Sequence, residues 1–182
     1  GQYIDVGIDL RTVIVAPPTS DLPVWVEDGT GLEGDYYSNT NLTGTAVRRT
    51  DAELNFSWGA GIPANGLPAD GFSARWTGFI QPRYSEVYTF HLTADDGARL
   101  WVDGQLLVDS WDNSDWSTRS QTGTILLEGG HRYTIKIEYY DGAGDAGIKL
   151  EWTSASQLRE VVPQGVLFGI PKPVVTAAAI KD

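Results

Sequence analysis

The chain has 182 residues, which is enough for one domain with flanking segments and one sizeable core. Its 24 acidic residues outnumber the 13 basic ones and give a formal net charge of −11, so nucleic acid and acidic lipid surfaces are poor partners, whereas cations and neutral polar ligands suit it. The absence of cysteine excludes disulfides, thiolate zinc sites and cysteine nucleophiles. No apolar run reaches the length of a membrane span, so we expect no membrane insertion.

Residues 1–30 are predicted to be an N-terminal strand and linker. A strand over residues 10–16 stops at Pro17 and Pro18, because proline has no backbone donor for a sheet. This strand either caps an edge of the main sheet or belongs to a preceding domain, and the sequence leaves both readings open. The chain starts at Gly1, lacks methionine and has no signal-like stretch, so we expect an excised part of a larger protein.

From Gly31 the sequence changes to short alternating segments separated by Gly, Asn, Asp and Pro about every ten residues. No stretch of eleven or more residues carries a helical period. This pattern predicts an all-β domain, an antiparallel β-sandwich over residues 31–168. The segments predicted as strands cover residues 56–58, 72–77, 88–94, 98–102, 106–108, 124–127, 133–140 and 148–152.

Residues 92–104, LTADDGARLWVDG, place two adjacent carboxylates, Asp95 and Asp96, in a loop between two predicted strands. Adjacent side chains of an extended chain point to opposite sides, so both would hold one ion only if a cis peptide bond brought them round. Calcium is the obvious candidate ion, because it takes six to eight oxygen ligands from carboxylates, carbonyls and water. The alternative is that both are ordinary turn residues facing solvent.

A second acidic stretch lies in the hairpin that joins the last two long strands. Its tip, residues 141–147, consists of Gly and Ala apart from Asp141 and Asp145. Small residues allow backbone carbonyls to approach an ion, and the loops of a sandwich gather at its ends. The tip could therefore lie beside Asp95 and Asp96 and supply a third acid, either Asp141 or Asp145. Taken alone, a glycine-rich tip of this kind favours a simple flexible hairpin.

Three stretches together resemble the PA14 domain family over about residues 31–168: GLEGDYYSNTNLTG, then FSARWTGFIQPRYSEVYTFHLTADDGARLWVDGQLLVDSW, then GGHRYTIKIEYYDGAGDAGIKLEW. The resemblance implies a jelly-roll-like β-sandwich module of toxins, glycosidases, proteases and adhesins. In sugar-binding members, adjacent aspartates joined by a cis peptide bond hold a calcium ion, which chelates sugar hydroxyls.

The resemblance assigns roles to individual residues. Asp95 and Asp96 match the aspartate pair, and Asp141 with the carbonyls of Ala143 and Asp145 fits the second loop. Asp145 stands where many relatives have glycine, so it could be a direct ligand instead. The sugar would meet Asp95, Asp96 and Asp145, with a rim from the loop that contains Trp111, Asp112, Asn113, Asp115 and Trp116.

The sequence-based hypothesis is a calcium-dependent, lectin-like module of a larger secreted or cell-surface protein, an adhesin or a polysaccharide-active enzyme. Its partners would be a mono- or polysaccharide and other domains of the same chain. The alternative is a structural spacer or interdomain module that binds no sugar. We expect no enzyme activity, because neighbouring carboxylates on one ion lie too close for glycoside hydrolysis and His91 and His131 accompany no nucleophile motif.

The C-terminal part is predicted to close the sandwich and then leave it. Residues 161–163 and 167–168 form a closing edge strand, where a proline is tolerated. Residues 169–182, with Pro171 and Pro173, are predicted to be a linker into a following domain.

Overall fold

The structure is a computed structural model that describes residues 27–111 and 119–170. These two ranges contain no α-helix and one short 3-10 turn, Gln164–Val166. No helix in them is long and apolar enough to span a membrane. The strand predicted over residues 10–16, and residues 171–182 of the linker predicted over residues 169–182, lie outside the described residues. The strands are β1 Leu32–Tyr37, β2 Val47–Asp51, β3 Asn55–Gly59, β4 Phe72–Ile80, β5 Glu86–Asp95, β6 Gly97–Val102, β7 Gln105–Asp109, β8 Arg119–Leu127, β9 Tyr133–Asp141, β10 Ala146–Thr153, β11 Glu160–Val161 and β12 Leu167–Phe168.

The strands form two antiparallel sheets, which confirms the predicted β-sandwich. The seven-stranded sheet has the order β2-β1-β4-β9-β6-β7, with β12 paired to β4. The five-stranded sheet has the order β11-β10-β5-β8, with β3 paired to β10. Because the side chains of a strand alternate between its two faces, each sheet supplies one apolar face to the core.

The core lies between the two sheets and is rich in aromatic side chains. Trp76 and Phe72 from β4 and Tyr139 from β9 meet Phe90 and Trp152 from the opposite sheet, and all five are fully or almost fully buried. Burying a large apolar side chain contributes about 1.5–3 kcal/mol relative to leaving it exposed. In the strand predicted over residues 88–94, Tyr88, Phe90, Leu92 and Ala94 alternate along the chain, and all four lie on the buried face of β5.

Two connections cross from one sheet to the other at the same end of the sandwich. β5 ends at Asp95 in the five-stranded sheet, and β6 begins at Gly97 in the seven-stranded sheet. The prediction that β9 and β10 form a paired hairpin is wrong, because the two strands lie in different sheets; the connection after β9, for which we keep the name hairpin, crosses back in the opposite direction to β10. Gly97 pairs with Tyr140, and Gly147 pairs with Asp95, so the two connections lie side by side.

The predicted closing edge strand is wrong in one respect, because it is split between the sheets. β11 pairs with β10 in the five-stranded sheet, whereas β12 pairs with β4 in the seven-stranded sheet. Pro163, which lacks a backbone donor, lies between them and directly precedes the 3-10 turn. The final segment therefore bridges the two sheets instead of extending one of them.

Candidate functional site

The candidate site is built on the two crossing connections. The peptide bond between Asp95 and Asp96 is cis, as the family resemblance implied. The Asp96 side chain is 5% exposed, and its Oδ2 accepts a hydrogen bond from the backbone N–H of Gly142 at 2.7 Å. The buried Tyr139 hydroxyl donates to the backbone carbonyl of Asp95 and accepts from the N–H of Gly147 at 3.2 Å. These bonds hold the aspartate pair against the hairpin.

Asp141 is the least satisfied group at this end of the sandwich. Its side chain is completely buried, and neither carboxylate oxygen has a hydrogen-bond partner. Burial raises the pKa of Asp141 to about 7, and the negative charges of Asp96 and Asp70 add to the rise. The backbone N–H of Gly71 acts in the opposite direction without reaching hydrogen-bond geometry. A buried carboxylate without a partner is costly unless it takes up a proton or meets a cation.

Asp70 is a residue of this site that sequence reasoning missed. It precedes β4 in the loop after β3, and its Oδ1 accepts a hydrogen bond from the backbone N–H of Gly144 at 3.0 Å. Gly144 has φ +102°, a conformation that favours glycine, so Asp70 holds the hairpin tip in a glycine-dependent shape. The sequence signal that could have identified it is the turn pair Asp70-Gly71, directly before β4. In the structure, β4 starts opposite Asp141, the last residue of β9.

Asp145 and Ala143 lie at the tip of the hairpin and are exposed. Asp145 shares with Asp95 the wall of an open groove of about 310 Å³, so these two acids lie on the same side of the site. Asp141 and Asp96 lie on its buried side. The structure thus brings Asp95, Asp96, Asp141 and Asp145 to one end of the sandwich, and it adds Asp70.

The predicted rim is described only at its first residue. Trp111 packs edge-on against Tyr140, with ring centroids 4.9 Å apart, and the guanidinium carbon of Arg99 lies 4.1 Å from its ring centre. Its backbone carbonyl is close to Gly97, directly after the aspartate pair. Asp112, Asn113, Asp115 and Trp116 lie outside the described residues, so their contribution to a rim stays a prediction.

The donor set suits a hard cation. Every candidate ligand is an oxygen of an aspartate or of the hairpin backbone, the donors that calcium prefers. Within the described ranges, no group of three acidic or histidine side chains is placed to hold a metal ion by itself. A shell of six to eight oxygens would therefore need carbonyls from the glycine-rich tip and water in addition to the carboxylates.

The two histidines lie away from this cluster. His91 is on the outward face of β5, where burial and then Arg159 lower its pKa, opposed by Glu151. His131 follows a turn before β9, with its Nδ1 3.6 Å from a carboxylate oxygen of Glu128. Neither histidine lies against the aspartate pair, where it could act as a general base.

The two antiparallel sheets define the class of this protein as a β-sandwich module. Its two acidic connections lie side by side at one end of the sandwich. The PA14 domain family profile matches residues 28–165, and the chain belongs to this family. The sequence-based resemblance is therefore confirmed.

Three known proteins illustrate what the chain is similar to. It is 44% identical over 140 residues to the anti-sigma-I factor RsgI3 of Acetivibrio thermocellus, which covers 77% of this chain and 21% of that protein. A solved anti-sigma factor domain-containing protein is 42% identical with a TM-score of 0.76, covering 81% of this chain and 50% of that one. The PA14 sugar-binding domain from an RTX adhesin, 17% identical, has a TM-score of 0.58 and covers 78% of this chain and 99% of its own; it shows the fold alone. The chain thus spans about a fifth of RsgI3 and half of the solved anti-sigma factor protein.

Proposed function

We propose that this chain is a calcium-dependent carbohydrate-binding module of a larger secreted or cell-surface protein. One observation carries the proposal: Asp141 is fully buried with both oxygens unpartnered, at the end of the sandwich that holds Asp95 and Asp96. Leaving a charge in such a place costs several kcal/mol unless something compensates it. A bound cation is the compensation that this set of donors suits.

The chain's own residues prepare the site. Gly142 orients the Asp96 carboxylate, and Tyr139 fixes the Asp95 carbonyl. The carboxylates would accept hydrogen bonds from sugar hydroxyls, and such bonds to a charged acceptor are stronger than neutral ones. Calcium, when bound, would supply open coordination positions for two neighbouring hydroxyls. No residue in this arrangement is placed to break a bond, so we assign binding and not catalysis.

Affinity for a single sugar would be weak, because the site is small and open. Useful retention would come from repeated engagement along a glycan or between several modules. The parent protein would be an adhesin or a polysaccharide-active enzyme. The relatives named as anti-sigma factors support a third kind of parent, in which the module senses a glycan on behalf of a regulatory domain.

A spacer role is the second candidate function. It is favoured because no group of three acidic or histidine side chains in the described ranges is placed to hold a metal ion by itself, and because Trp111 packs against its own sheet. A spacer would keep the sandwich and its contacts with neighbouring domains without needing the carboxylates. The two functions therefore differ in what calcium does to the folded module.

The test is a glycan array probed in calcium and again in chelator, together with thermal unfolding in both solutions. We expect calcium-dependent retention, and a rise in melting temperature with calcium, since a ligand at a hundred times its Kd adds about 2.7 kcal/mol. Asp95→Ala should abolish retention while the sandwich stays folded. Glu128→Ala is the matched control, because this acid is 71% exposed and directly follows β8, in the turn that leads to the start of β9, whose other end carries Asp141. Retention that survives Asp95→Ala, or a melting temperature unchanged by chelator, would support the spacer.

A further inference from the structure

A groove leads away from the candidate calcium site along the outer face of the five-stranded sheet. Its volume is about 310 Å³, and it is lined by residues of β3, β5 and β10 together with Asp145. Asp95 forms one end of it, next to the predicted ion. A ligand held at that ion would therefore meet the groove as its nearest continuous surface.

The floor of the groove is bare backbone. Gly147 on β10 lies between Ser57 on β3 and Asp95 on β5, and the register of β10 with β3 shifts at this point. A Cβ atom at Gly147 would lie 3.0 Å from the Phe56 carbonyl oxygen, so β3 approaches more closely here than a side chain would comfortably allow. The missing side chain leaves a flat gap between two neighbouring strands.

The walls carry groups that bind sugar oxygens. Ser57 and Thr93 supply hydroxyls, and Thr93 pairs across the sheet with Lys149. Lys149 is two residues along β10 from Gly147, a rise of about 6.6 Å. It is the only cation among the residues that line the groove, and its ammonium group can only donate hydrogen bonds.

Lys149 is available to a ligand, because Glu151, its present partner, has a shorter contact with Arg159 that does not depend on Lys149. The Nζ atom of Lys149 lies 3.3 Å from Glu151 Oε2, whereas Arg159 donates to the same oxygen at 2.7 Å. The Arg159 hydrogen bond is also the main cause that lowers the pKa of Glu151, ahead of Lys149. If Lys149 turned towards the groove, Glu151 would therefore stay paired.

We propose that this groove is a second sugar subsite, which takes the unit next to the ion-bound one in an oligosaccharide and selects a uronic acid through Lys149. This inference rests on the proposed function, because the first unit is placed by the calcium site. The uronate preference follows from the charge of Lys149, since a carboxylate accepts a charge-assisted bond about twice as strong as one to a neutral hydroxyl. Bound calcium offsets the charges of Asp95 and Asp145, which would otherwise repel that carboxylate.

The test is an array of mono-, di- and trisaccharides from a uronic-acid series and from a neutral series, in saturating calcium. We expect a uronate trisaccharide to bind about tenfold more tightly than its monosaccharide. Thr93→Trp fills the groove and should remove this gain, and Lys149→Gln should remove it for the acidic series alone. Lys149→Arg should retain it. Lys136→Gln, which removes a lysine from the outer face of the other sheet, is the control.

The outcomes separate the two proposals. Calcium-dependent binding that is equal for mono- and trisaccharides, and unchanged in both groove variants, would overturn the subsite and leave the proposed function standing. A gain with length that Thr93→Trp removes but Lys149→Gln does not would overturn the uronate preference. Absence of any calcium-dependent binding would overturn the proposed function and the subsite with it. The melting temperature of each variant with calcium shows whether the first site is intact, and Lys149→Gln tests the groove even if Thr93→Trp fails to fold.

Discussion

At the candidate site, a side chain that favours ion binding can destabilise the ion-free fold. Asp141 is a fully buried acid without a hydrogen-bond partner, whereas the other buried acids of the described ranges are satisfied: Asp51, for example, accepts three hydrogen bonds at 2.6–2.7 Å. A carboxylate in that position destabilises the calcium-free fold, and a cation would reverse this effect. Removing the charge of Asp141 should therefore weaken calcium binding and stabilise the calcium-free fold.

Replacement of Asp141 by Asn should stabilise the calcium-free protein and remove its response to calcium. Asn keeps the shape but carries no charge, so in chelator at pH 8 the free energy of unfolding should rise by about 1 kcal/mol or more. The rise in melting temperature on adding calcium should disappear. Chemical denaturation with and without calcium measures both effects. Asp145→Asn, at an exposed position, is the control for calcium-free stability, and a less stable Asp141→Asn protein in chelator would show that the carboxylate has a structural role.

Asp70 is predicted to act through the hairpin and not through its charge. Asp70→Ala removes the acceptor of the Gly144 N–H and should weaken calcium binding about tenfold, because the carbonyls of the tip lose their support. Asp70→Asn keeps an acceptor oxygen and should retain most of the affinity. Calorimetric titration with calcium distinguishes the two. Equal losses in both variants would mean that Asp70 contributes by its negative charge.

At the scale of strands, polar pairs fix the outer surfaces of the sheets. Glu138 on β9 lies between Arg75 on β4 and Arg99 on β6, with N–O distances of 3.0 and 2.7 Å. Asp109 on β7 and Asp35 on β1 continue the same row in register, and Arg48 pairs with Asp35. This row of alternating charges crosses six strands, and cross-strand pairs of opposite charge each contribute roughly 0.2–1 kcal/mol.

Glu86, the first residue of β5, holds the loop after β10 and makes that contact sensitive to acid. It accepts hydrogen bonds from both the hydroxyl and the backbone N–H of Ser156 and from the Ser154 hydroxyl. These bonds lower the pKa of Glu86 from its ordinary value of 4.5. The stabilisation is therefore complete above about pH 4.5 and is lost as the pH falls through the lowered pKa.

Glu86→Gln should accordingly melt at a lower temperature than the natural chain at pH 6–7, and the difference should shrink in acid below pH 4.5. Melting temperatures of the two proteins over this range measure the effect. Glu128→Gln changes an acid that bonds to no loop backbone and should show no such pH-dependent difference. If the melting temperature of Glu86→Gln differed from that of the natural chain by the same amount at every pH, the role assigned to the ionised Glu86 carboxylate would be contradicted.

At the scale of the whole molecule, one buried cluster joins the seven-stranded sheet to the loop beside the site. Asp51 at the end of β2 accepts from the Tyr36 hydroxyl, the Trp76 indole and the Arg49 guanidinium. Arg49 also donates to the carbonyl of Pro63 in the loop that ends near Asp70. Burial, and then the charge of Asp51, raise the pKa of Tyr36, so its hydroxyl stays a donor.

Asp51→Ala should lower the free energy of unfolding by about 3–5 kcal/mol, because it leaves a guanidinium and two buried donors without their acceptor. Asp35→Ala removes an ion pair with the largely exposed Arg48 and should change stability by less than about 1 kcal/mol. Urea unfolding of both variants measures the contrast. Similar losses in the two proteins would mean that the cluster is no more important than a surface pair.

The fold could be predicted from sequence because its causes are local. Alternation such as that of Tyr88, Phe90 and Leu92 sets the buried face of a strand within a few residues, and glycine or proline marks where strands end. The segments β1 and β2 were not predicted individually, because their apolar residues are few and the buried acid Asp51 ends β2 on a core-facing position.

The sequence by itself determined the sandwich, the family and the aspartate pair, because periodicity and short motifs are properties of neighbouring residues. Only the tertiary structure decided that Asp70 from a distant loop joins the site, that Asp141 is the buried acid and Asp145 the exposed one, and that Gly147 opens a groove next to Asp95. These facts depend on which strands pair and in what register. The fold brings together residues far apart in the chain, such as Asp70 and Gly144, 74 positions apart, and no local pattern encodes that distance.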